Sequence, residues 1–598
     1  MARSELPESD RTMDQLPHPA ASPKRLCVLK FGSSVLETEG DYAAVANEVY
    51  RHVREGEKVV AVVSALAGET DALLNQGMRV GGEQPLLLAR VARTGELHSA
   101  ALLALALGQI GVRACTLDPH EMGLVAEGDP LDSTLTGLDA EAVLAKLELH
   151  DALVVPGFTA GHTTHGIVTL GRGGTDLSAV FFAARLDAHR VRLIKDVDGV
   201  YDQDPARNPL AERYAQLSYE EAAKASAGLI QPKAIQVAQQ RDVLIEVAAM
   251  GSAEETTIAN LPLVKSLPLQ RAKLRVALLG CGTVGAGVMT YLLKRPDLFV
   301  LNRVLVRSPD RRDQPVLYTD SLAEAMTGEV DIVVETMGGA HEYADALCDA
   351  LRGGTHVVTA NKAVVAAHYD ALHACAAAGN AKLLYSGAVG GGAPVLEAVG
   401  RLAKQPGIVA LDGVVNGTVN FLLARLANGW SFDQALAKAQ ELGFAEADPT
   451  SDVDGHDAAY KLSLLVRDAM GVALPSDEIP KDSLRSVTAE AILAALAKGQ
   501  VLKQVSRARL LPDGKVEASV RIESLPGSHP LARVTNTENS VLITAADGTV
   551  HEVHGHGAGR WPTAASVFAD IMDLQRAAPC QRSAPTAGSG VVPLRMSV

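Results

Sequence analysis

Aromatic side chains are scarce in this sequence, at 4% of 598 residues, while hydrophobic residues as a whole make up 47%. The apolar content is carried by aliphatic and small residues, which suits packed α/β layers better than an aromatic-rich all-β protein. The six cysteines, Cys27, Cys115, Cys281, Cys348, Cys375 and Cys580, are scattered, and no Cys-x-x-Cys pair occurs. That pattern speaks against a zinc knuckle and against a disulfide framework; each cysteine reads as a small buried hydrophobe. No apolar run reaches the roughly 18 residues of a membrane span. Residues 1–24 are polar and proline-bearing and lack the apolar segment of a secretory signal, so they read as the disordered tail of a cytoplasmic protein. An excess of positive charge is lacking as well. The formal net charge is -15, which argues against a general nucleic-acid binder that neutralises phosphates with Lys and Arg. It leaves open a nucleotide bound in a local pocket.

The chain is too long for one core and divides into several domains. Leu26-Cys27-Val28-Leu29-Lys30-Phe31 is a short apolar run closed by Gly32-Ser33-Ser34, a buried strand and turn. A helical pattern over 41–55 and a second buried strand over 59–64 follow. The alternation continues through a helix around 102–106 and strands at 152–155, 191–194 and 243–247, the last of this unit. Residues 264–273 form a polar junction. A second unit begins at Leu274-Arg275-Val276-Ala277-Leu278-Leu279, with further strands at 304–306, 332–335, 357–359 and 383–385. Buried runs alternating with helices are the pattern of a sheet covered on both faces, and the second series is that of a doubly wound sheet. After about residue 408 the pattern changes to a mixed subdomain that ends in a helix over 562–575. The expected division is a tail at 1–24, a first α/β domain at 25–263, a linker at 264–272, a Rossmann domain at 273–408, an α+β domain at 409–576 and a second disordered tail at 577–598.

Gly280-Cys281-Gly282-Thr283-Val284-Gly285 follows the strand 274–279 and opens a helix. This is the context a dinucleotide needs: a tight turn, backbone close to the pyrophosphate and helix amides aimed at the anion. Gly282 permits the close approach, and Gly285 permits the helix–strand contact. The next strand ends in Val306-Arg307-Ser308-Pro309-Asp310. Arg307 fits the 2'-phosphate of NADP, with Ser308 as a donor, while Asp310 leaves room for NAD.

Asp457 and Lys461 are four apart, on one helix face. Lys362 lies at the carboxyl edge of the sheet, where open α/β sheets place their sites. Around them stand Val357-Val358-Thr359-Ala360-Asn361-Lys362-Ala363, Asn416-Gly417-Thr418-Val419-Asn420, Leu442-Gly443-Phe444-Ala445-Glu446-Ala447-Asp448-Pro449 and Asp452-Val453-Asp454-Gly455-His456-Asp457. This ordered series resembles homoserine dehydrogenases over about residues 273–575. The resemblance implies reversible interconversion of L-homoserine and L-aspartate 4-semialdehyde with NAD(P). It implies that Lys461 and Lys362 between them polarise the carbonyl and handle the proton, their separate roles left open. Glu446 and Asp457 would meet the substrate ammonium, Asp452 would bind substrate or order the lysines, and Thr359 and Asn361 would line the nicotinamide. Members of the family often carry a glutamate shortly after the tyrosine of the fifth strand, near a monovalent cation. Here Tyr385 is followed by Ser386, and backbone carbonyls around Val389 and Gly391 are the remaining candidates for holding Na+ or K+.

The front half carries Lys30-Phe31-Gly32-Ser33-Ser34, Val63-Ser64-Ala65, Thr94-Gly95-Glu96, Thr169-Leu170-Gly171-Arg172-Gly173-Gly174-Thr175-Asp176 and Lys195-Asp196-Val197-Asp198-Gly199-Val200-Tyr201. No Gly-x-x-x-x-Gly-Lys-[Ser/Thr] is present, so this is not a P-loop kinase. The set resembles aspartate kinases and the wider amino-acid-kinase family over residues 26–260, and implies phosphoryl transfer from ATP with Mg2+ to a carboxylate. Lys30 would reach the transferring phosphoryl, and amides of Gly32, Ser33, Gly173 and Gly174 would cradle phosphates. Arg172 would hold the substrate carboxylate. Glu96, Asp176 and Ser64 would organise the substrate, and Asp196, Asp198 and Tyr201 would hold the nucleotide. Two departures stand out. The glycine turn is one small residue short at Ser33, and Gly228 stands where the family places a late lysine, with Lys224 and Lys233 as substitutes. The alternative reading is therefore a dehydrogenase whose kinase-like half is an inactive scaffold or amino-acid sensor. Fewer than 30 residues separate the last strand of the first unit from the first strand of the second. A small βαββαβ regulatory domain does not fit between them.

The whole reads as α/β: an amino-acid-kinase-like sandwich, a Rossmann domain and an α+β domain for catalysis and dimerisation. The resemblances imply a homodimer or homotetramer acting on homoserine, aspartate semialdehyde and aspartate, with no nucleic acid or membrane partner.

Overall fold

The computed structural model describes residues 25–582 except 209, 227, 267–268, 310–316 and 446–447. The front unit is built on a nine-stranded sheet. Leu26–Phe31 lies inside it, parallel to Lys58–Val63 on one side and to Arg190–Lys195 on the other. Alternate side chains of a strand point to opposite faces, and the packing follows that rule. Cys27, Leu29, Phe31 and Ala61 join the core beneath the helices Tyr42–Arg54 and Pro85–Gln109. Val28, Val60 and Val62 join the core on the other face, with Gly174–Arg185 and Pro232–Arg241. The expected final strand is Ile245–Ala249, but it does not end the sheet. Glu255–Ile258 returns antiparallel to it, and Val264–Ser266 pairs with Arg213–Leu217 at the edge. These edge strands are short and mostly polar, so they lack the apolar runs that mark the inner ones.

The second unit is a six-stranded sheet with every pairing parallel, in the order Tyr318–Thr319, Phe299–Leu305, Leu274–Leu279, Ile332–Glu335, His356–Thr359, Leu383–Leu384. Leu274–Leu279 lies between the outward and return series of strands, the switch point at which such sheets bind ligands. A third, antiparallel sheet of five strands begins at Ile408–Val414 and carries the helices Gly417–Ala427 and His456–Met470 against it. No helix among the described residues is long and apolar enough to cross a membrane. Cys27, Cys348 and Cys375 are buried, and Cys115 and Cys281 are half-buried, all as free thiols.

The expected linker at 264–272 is instead part of two sheets. Val264–Ser266 belongs to the front sheet, and Leu269–Arg271 pairs antiparallel with Cys580–Arg582. That second pairing also corrects the expectation of a structureless segment from 577: Cys580–Arg582 is ordered by the backbone of the junction. The readings of 1–24 and 583–598 as tails lie outside the described residues. The last helix, Arg560–Ala577, accounts for the close junction. Phe568, Ile571 and Met572 pack in one cluster with Tyr42, Val45 and Val49 of the front unit and with Val288, Tyr291 and Leu292 of the Rossmann unit. The Phe568 ring lies 5.2 Å from that of Tyr291 and 6.1 Å from that of Phe299.

A shared core ties the stability of the halves together. Phe568→Ala is expected to destabilise the whole chain by about 3–5 kcal/mol. Denaturant unfolding followed by tryptophan fluorescence and by far-UV circular dichroism should show one coincident transition, in the wild type and in the variant. Two separated transitions would contradict the shared core.

Candidate active sites

In the dinucleotide turn Gly280 has φ +96°, and a side chain there would collide with Met337 at 2.7 Å. A Cβ at Gly285 would lie 2.1 Å from the Gly280 carbonyl oxygen, so this glycine sets the helix–strand contact. Gly282 faces open space as the N-cap of Thr283–Leu293. Thr283 is exposed and Val284 half-buried beside it, so helix N-terminal amides are presented to an anion in the way a pyrophosphate requires. Arg307 is exposed just past the strand Phe299–Leu305, free to meet a 2'-phosphate; Asp310 lies outside the described residues.

A buried carboxyl that the motif reading missed closes this pocket. Glu335, fully buried at the end of its strand, accepts a hydrogen bond from the Thr359 hydroxyl at 2.5 Å and from the Met337 N–H at 2.6 Å. Burial pushes its pKa up to about 7 against those hydrogen bonds. Its signal in the sequence was one acid ending an otherwise apolar run. Asn361 caps the helix Lys362–Ala378 through its side-chain oxygen and donates to the Gly339 carbonyl at 2.7 Å. Glu335 and Asn361 thus join the loop after 335 to the start of the lysine-bearing helix. Lys362 is the first residue of that helix rather than the end of a strand.

Asp457 sits 6% exposed between both candidate lysines. One of its oxygens is 2.9 Å from Lys362 Nζ and the other is 2.8 Å from Lys461 Nζ. Burial alone would raise this carboxyl, but the Lys461 and Lys362 ammonium groups hold it well below the usual range. Lys461 also donates to the Val415 carbonyl at 2.9 Å. Asn416 bridges the acids, donating to Asp457 at 2.9 Å and to Asp452 at 2.8 Å. Burial, and then the charge of Asp457, push Asp452 up. The structure therefore brings Lys362, Lys461, Asp457 and Asp452 together. Glu446 lies outside the described residues. Val389 ends a short helix, Ser386–Val389, and Gly391 follows at φ +61°, where a Cβ would strike the Gly557 carbonyl oxygen at 2.6 Å.

The front half has its own cleft of about 390 Å³, lined by Lys30, Ser33, Ser64, Glu96, Arg172, Gly173 and Gly174, among others. Lys30 folds back over Gly32, where a Cβ would lie 2.3 Å from its Nζ. Its ammonium is 2.8 Å from Asp176. Gly171 and Gly173 take φ of +73° and +78°, the left-handed conformation that glycine adopts without strain. Glu96 is 2% exposed. Burial raises it to about 8, against an N–H bond from Ala65 and the charge of Lys30, and its Oε2 has no partner. Ser64 donates to Thr175 at 2.8 Å.

Lys233 donates to Asp132 at 2.6 Å, beside the Gly171 turn. The second cation at the site is Lys195, which reaches Asp176 at 3.0 Å and the Leu229 carbonyl at 2.7 Å. Burial holds it down to about 8, against Asp176 and with Lys30 adding to the depression. Asp196 is exposed and, with Lys195, lines a cavity of about 520 Å³ between the halves. Asp198 and Tyr201 bond each other at 2.6 Å.

Comparison with known proteins assigns each part. The amino acid kinase family matches residues 25–248, the homoserine dehydrogenase NAD-binding domain matches 280–386, and homoserine dehydrogenase matches 394–572. The homoserine dehydrogenase of Lactococcus lactis is 38% identical over 50% of this chain and 73% of its own length. That of Bacillus subtilis is 35% identical over 51% and 73%. A crystal structure of a homoserine dehydrogenase from Thiobacillus denitrificans is 32% identical over 52% of this chain and 74% of that one, with a TM-score of 0.49.

Two outcomes follow from these burials. Asp457 is depressed by its lysines, so the stability it contributes is present above the ordinary carboxylate range and is lost only in strong acid. Asp457→Asn removes the carboxylate shared by the buried Lys461 and the one-third-exposed Lys362 and should cost up to about 3 kcal/mol, read by denaturant titration at neutral pH. Glu335 has the opposite sign. Folded, it keeps a proton that the unfolded chain releases, so stability falls as pH rises from about 4 through about 7. Glu335→Gln should flatten that slope in thermal melts across the same interval; an unchanged slope would show that Glu335 is ionised throughout.

Proposed function

The chain belongs to the homoserine dehydrogenase family, with an amino acid kinase domain ahead of the dehydrogenase, and from that premise we propose that it catalyses two reactions of amino-acid biosynthesis. The rear half interconverts L-homoserine and L-aspartate 4-semialdehyde with NADP. The front half phosphorylates L-aspartate to 4-phospho-L-aspartate with Mg-ATP. In a route to threonine and methionine these are the first and third steps.

The observation that carries the dehydrogenase chemistry is one buried carboxylate shared by two lysines, Lys362 and Lys461. The pair places two ammonium groups at the carboxyl edge of the sheet, where they can stabilise an oxygen that becomes anionic. The nicotinamide, when bound, supplies or accepts the hydride. Lys461 and Lys362 between them steady the substrate oxygen and pass its proton. Asp457 keeps both ammonium groups charged and aimed, and Asp452, held by Asn416, receives the substrate's amino end. The open face of Gly282, the helix amides beyond it and the exposed Arg307 fit a dinucleotide phosphate and favour NADP over NAD. The glycine-tight backbone around Val389 and Gly391 is where a Na+ or K+ ion would sit.

The kinase reading rests on the orphaned oxygen of Glu96 and the paired lysines on Asp176. Phosphoryl transfer chiefly needs positioning and neutralisation of spreading negative charge. Lys30 and Lys195 supply two cations where the phosphoryl group moves, and the amides of Gly173 and Gly174 cradle its oxygens. Arg172 takes the α-carboxylate of aspartate. The buried Glu96, raised to about 8, becomes a charged partner once an ammonium enters beside it. Lys195 answers the departure at Gly228, which favours an active site over an inactive scaffold. The reading keeps a cytoplasmic homo-oligomer whose ligands are small molecules.

The purified full-length chain is expected to form ADP in an aspartate-dependent manner, with the acyl phosphate trapped by hydroxylamine, and to reduce NADP+ with homoserine. Lys30→Ala should abolish the first activity and spare the second, and Lys461→Ala should do the reverse. Homoserine oxidation without any aspartate-dependent ADP would leave the front half a scaffold or sensor.

A further inference from the structure

Arg54 ends the helix Tyr42–Arg54 of the kinase half and is 5% exposed. Every partner of its side chain belongs to the dehydrogenase half. Its Nε donates to Glu397 at 2.5 Å, its Nη1 to Asp573 at 3.0 Å and its Nη2 to the Ser386 hydroxyl at 3.1 Å, with a further short bond from Nη2 to Asp570. Asp570 is 1% exposed. It also accepts from the Ser386 N–H at 3.1 Å and from the Ser386 hydroxyl at 2.9 Å. Ser386 thus hangs on a guanidinium from one half and a carboxylate from the other.

The segment that Ser386 opens has little freedom elsewhere. A Cβ at Gly387 would strike Val567 at 2.9 Å, and one at Gly392 would strike Pro562 at 2.8 Å and the Ile110 carbonyl oxygen of the kinase half at 2.9 Å. Gly392 N–H donates to the His556 carbonyl at 2.8 Å. Its short helix packs against His456–Met470, which carries Asp457 and Lys461, and against the end of His356–Thr359. Burying one guanidinium among three carboxylates is no efficient way to stabilise an interface, since apolar groups of the same volume commonly do as well or better. The arrangement does fix an angle and a distance at Ser386.

We propose that Arg54 is a positioning residue for the dehydrogenase, supplied by the kinase half, which holds the Ser386–Gly392 segment against the helix that bears Asp457 and Lys461. The proposal rests on the dehydrogenase reading above. It makes homoserine oxidation depend on a kinase residue that touches neither substrate nor cofactor.

The test is homoserine-dependent reduction of NADP+ by full-length wild type and Arg54→Ala, each checked for a single unfolding transition. The variant should lose about tenfold to a hundredfold in kcat, the size of effect expected from a small misplacement at a catalytic site. KM for homoserine and for NADP+ should stay near wild type, and guanidinium ion below its denaturing range should restore much of kcat. A folded Arg54→Ala with wild-type kcat overturns the role of Arg54 and leaves the dehydrogenase reading standing. A kcat loss that guanidinium does not restore, with both KM values raised, marks a general structural effect and overturns it too. An inactive wild type overturns both readings. Should Arg54→Ala fail to fold, Ser386→Ala decides: a several-fold fall in kcat supports the proposal, and an unchanged kcat overturns it.

Discussion

The helix Arg560–Ala577 runs for 18 residues, and Pro562 to Met572 are buried without a break. A helix of an ordinary two-layer domain buries one stripe and shows the other to water. This one has no polar stripe to show, because the Rossmann helix Thr283–Leu293 covers one side and the kinase helix Tyr42–Arg54 another. The catalytic halves are therefore not beads on a string. The strand pair Leu269–Arg271 with Cys580–Arg582 closes the chain around the same helix, and Arg54 reaches its Asp570 from the far side. Burial raises Asp570 to about 6 even with that guanidinium beside it.

Both sites use the same electrostatic device on unrelated folds. Asp176 lies between Lys30 and Lys195, and Asp457 lies between Lys362 and Lys461. Burial disfavours a charged ammonium, and it depresses Lys195 even with Asp176 beside it. One carboxylate per pair keeps the two ammonium groups near each other. The carboxylate in each case sits on a helix and a lysine on or just beyond a strand, at the carboxyl edge of the sheet.

Much of this was legible in the residues. The buried strands and the glycine turn at 280–285 follow from unbroken apolar runs and from positions where only glycine fits. Lys362, Lys461 and Asp457 stood in ordered motifs, and Lys30, Glu96 and Asp176 in another set. What escaped has physical reasons. The edge strands Glu255–Ile258 and Val264–Ser266 are half-solvated, so no apolar pattern marks them, and the junction strand gains its order only from a partner more than 300 residues away. Lys195 ends a strand whose neighbouring acids drew attention to the nucleotide instead. Glu335 is a single acid whose importance comes from Thr359 and Met337, which the chain brings beside it only on folding. That Asp196 lines a cavity shared by both halves is not visible in its motif either.

The fusion poses a question that substrate chemistry alone does not answer. In the proposed pair of reactions an acyl phosphate made in the front half would need to be reduced before it became the aldehyde of the rear half, and neither reaction performs that step. Handing an intermediate directly from one cleft to the other would therefore gain nothing, and the halves have no need of a tunnel between them. What they do share is mechanical: one core, one buried helix, and the contact of Ile110 and Arg54 with the glycine-tight segment beside Asp457 and Lys461. Packed interiors transmit displacement because they cannot absorb it. A kinase half that shifts on binding its ligands moves the helices that bear Arg54 and Ile110, and the segment they hold has no slack to take up the motion. On the proposed reading, what the two halves share is the position of that segment and not the passage of a metabolite.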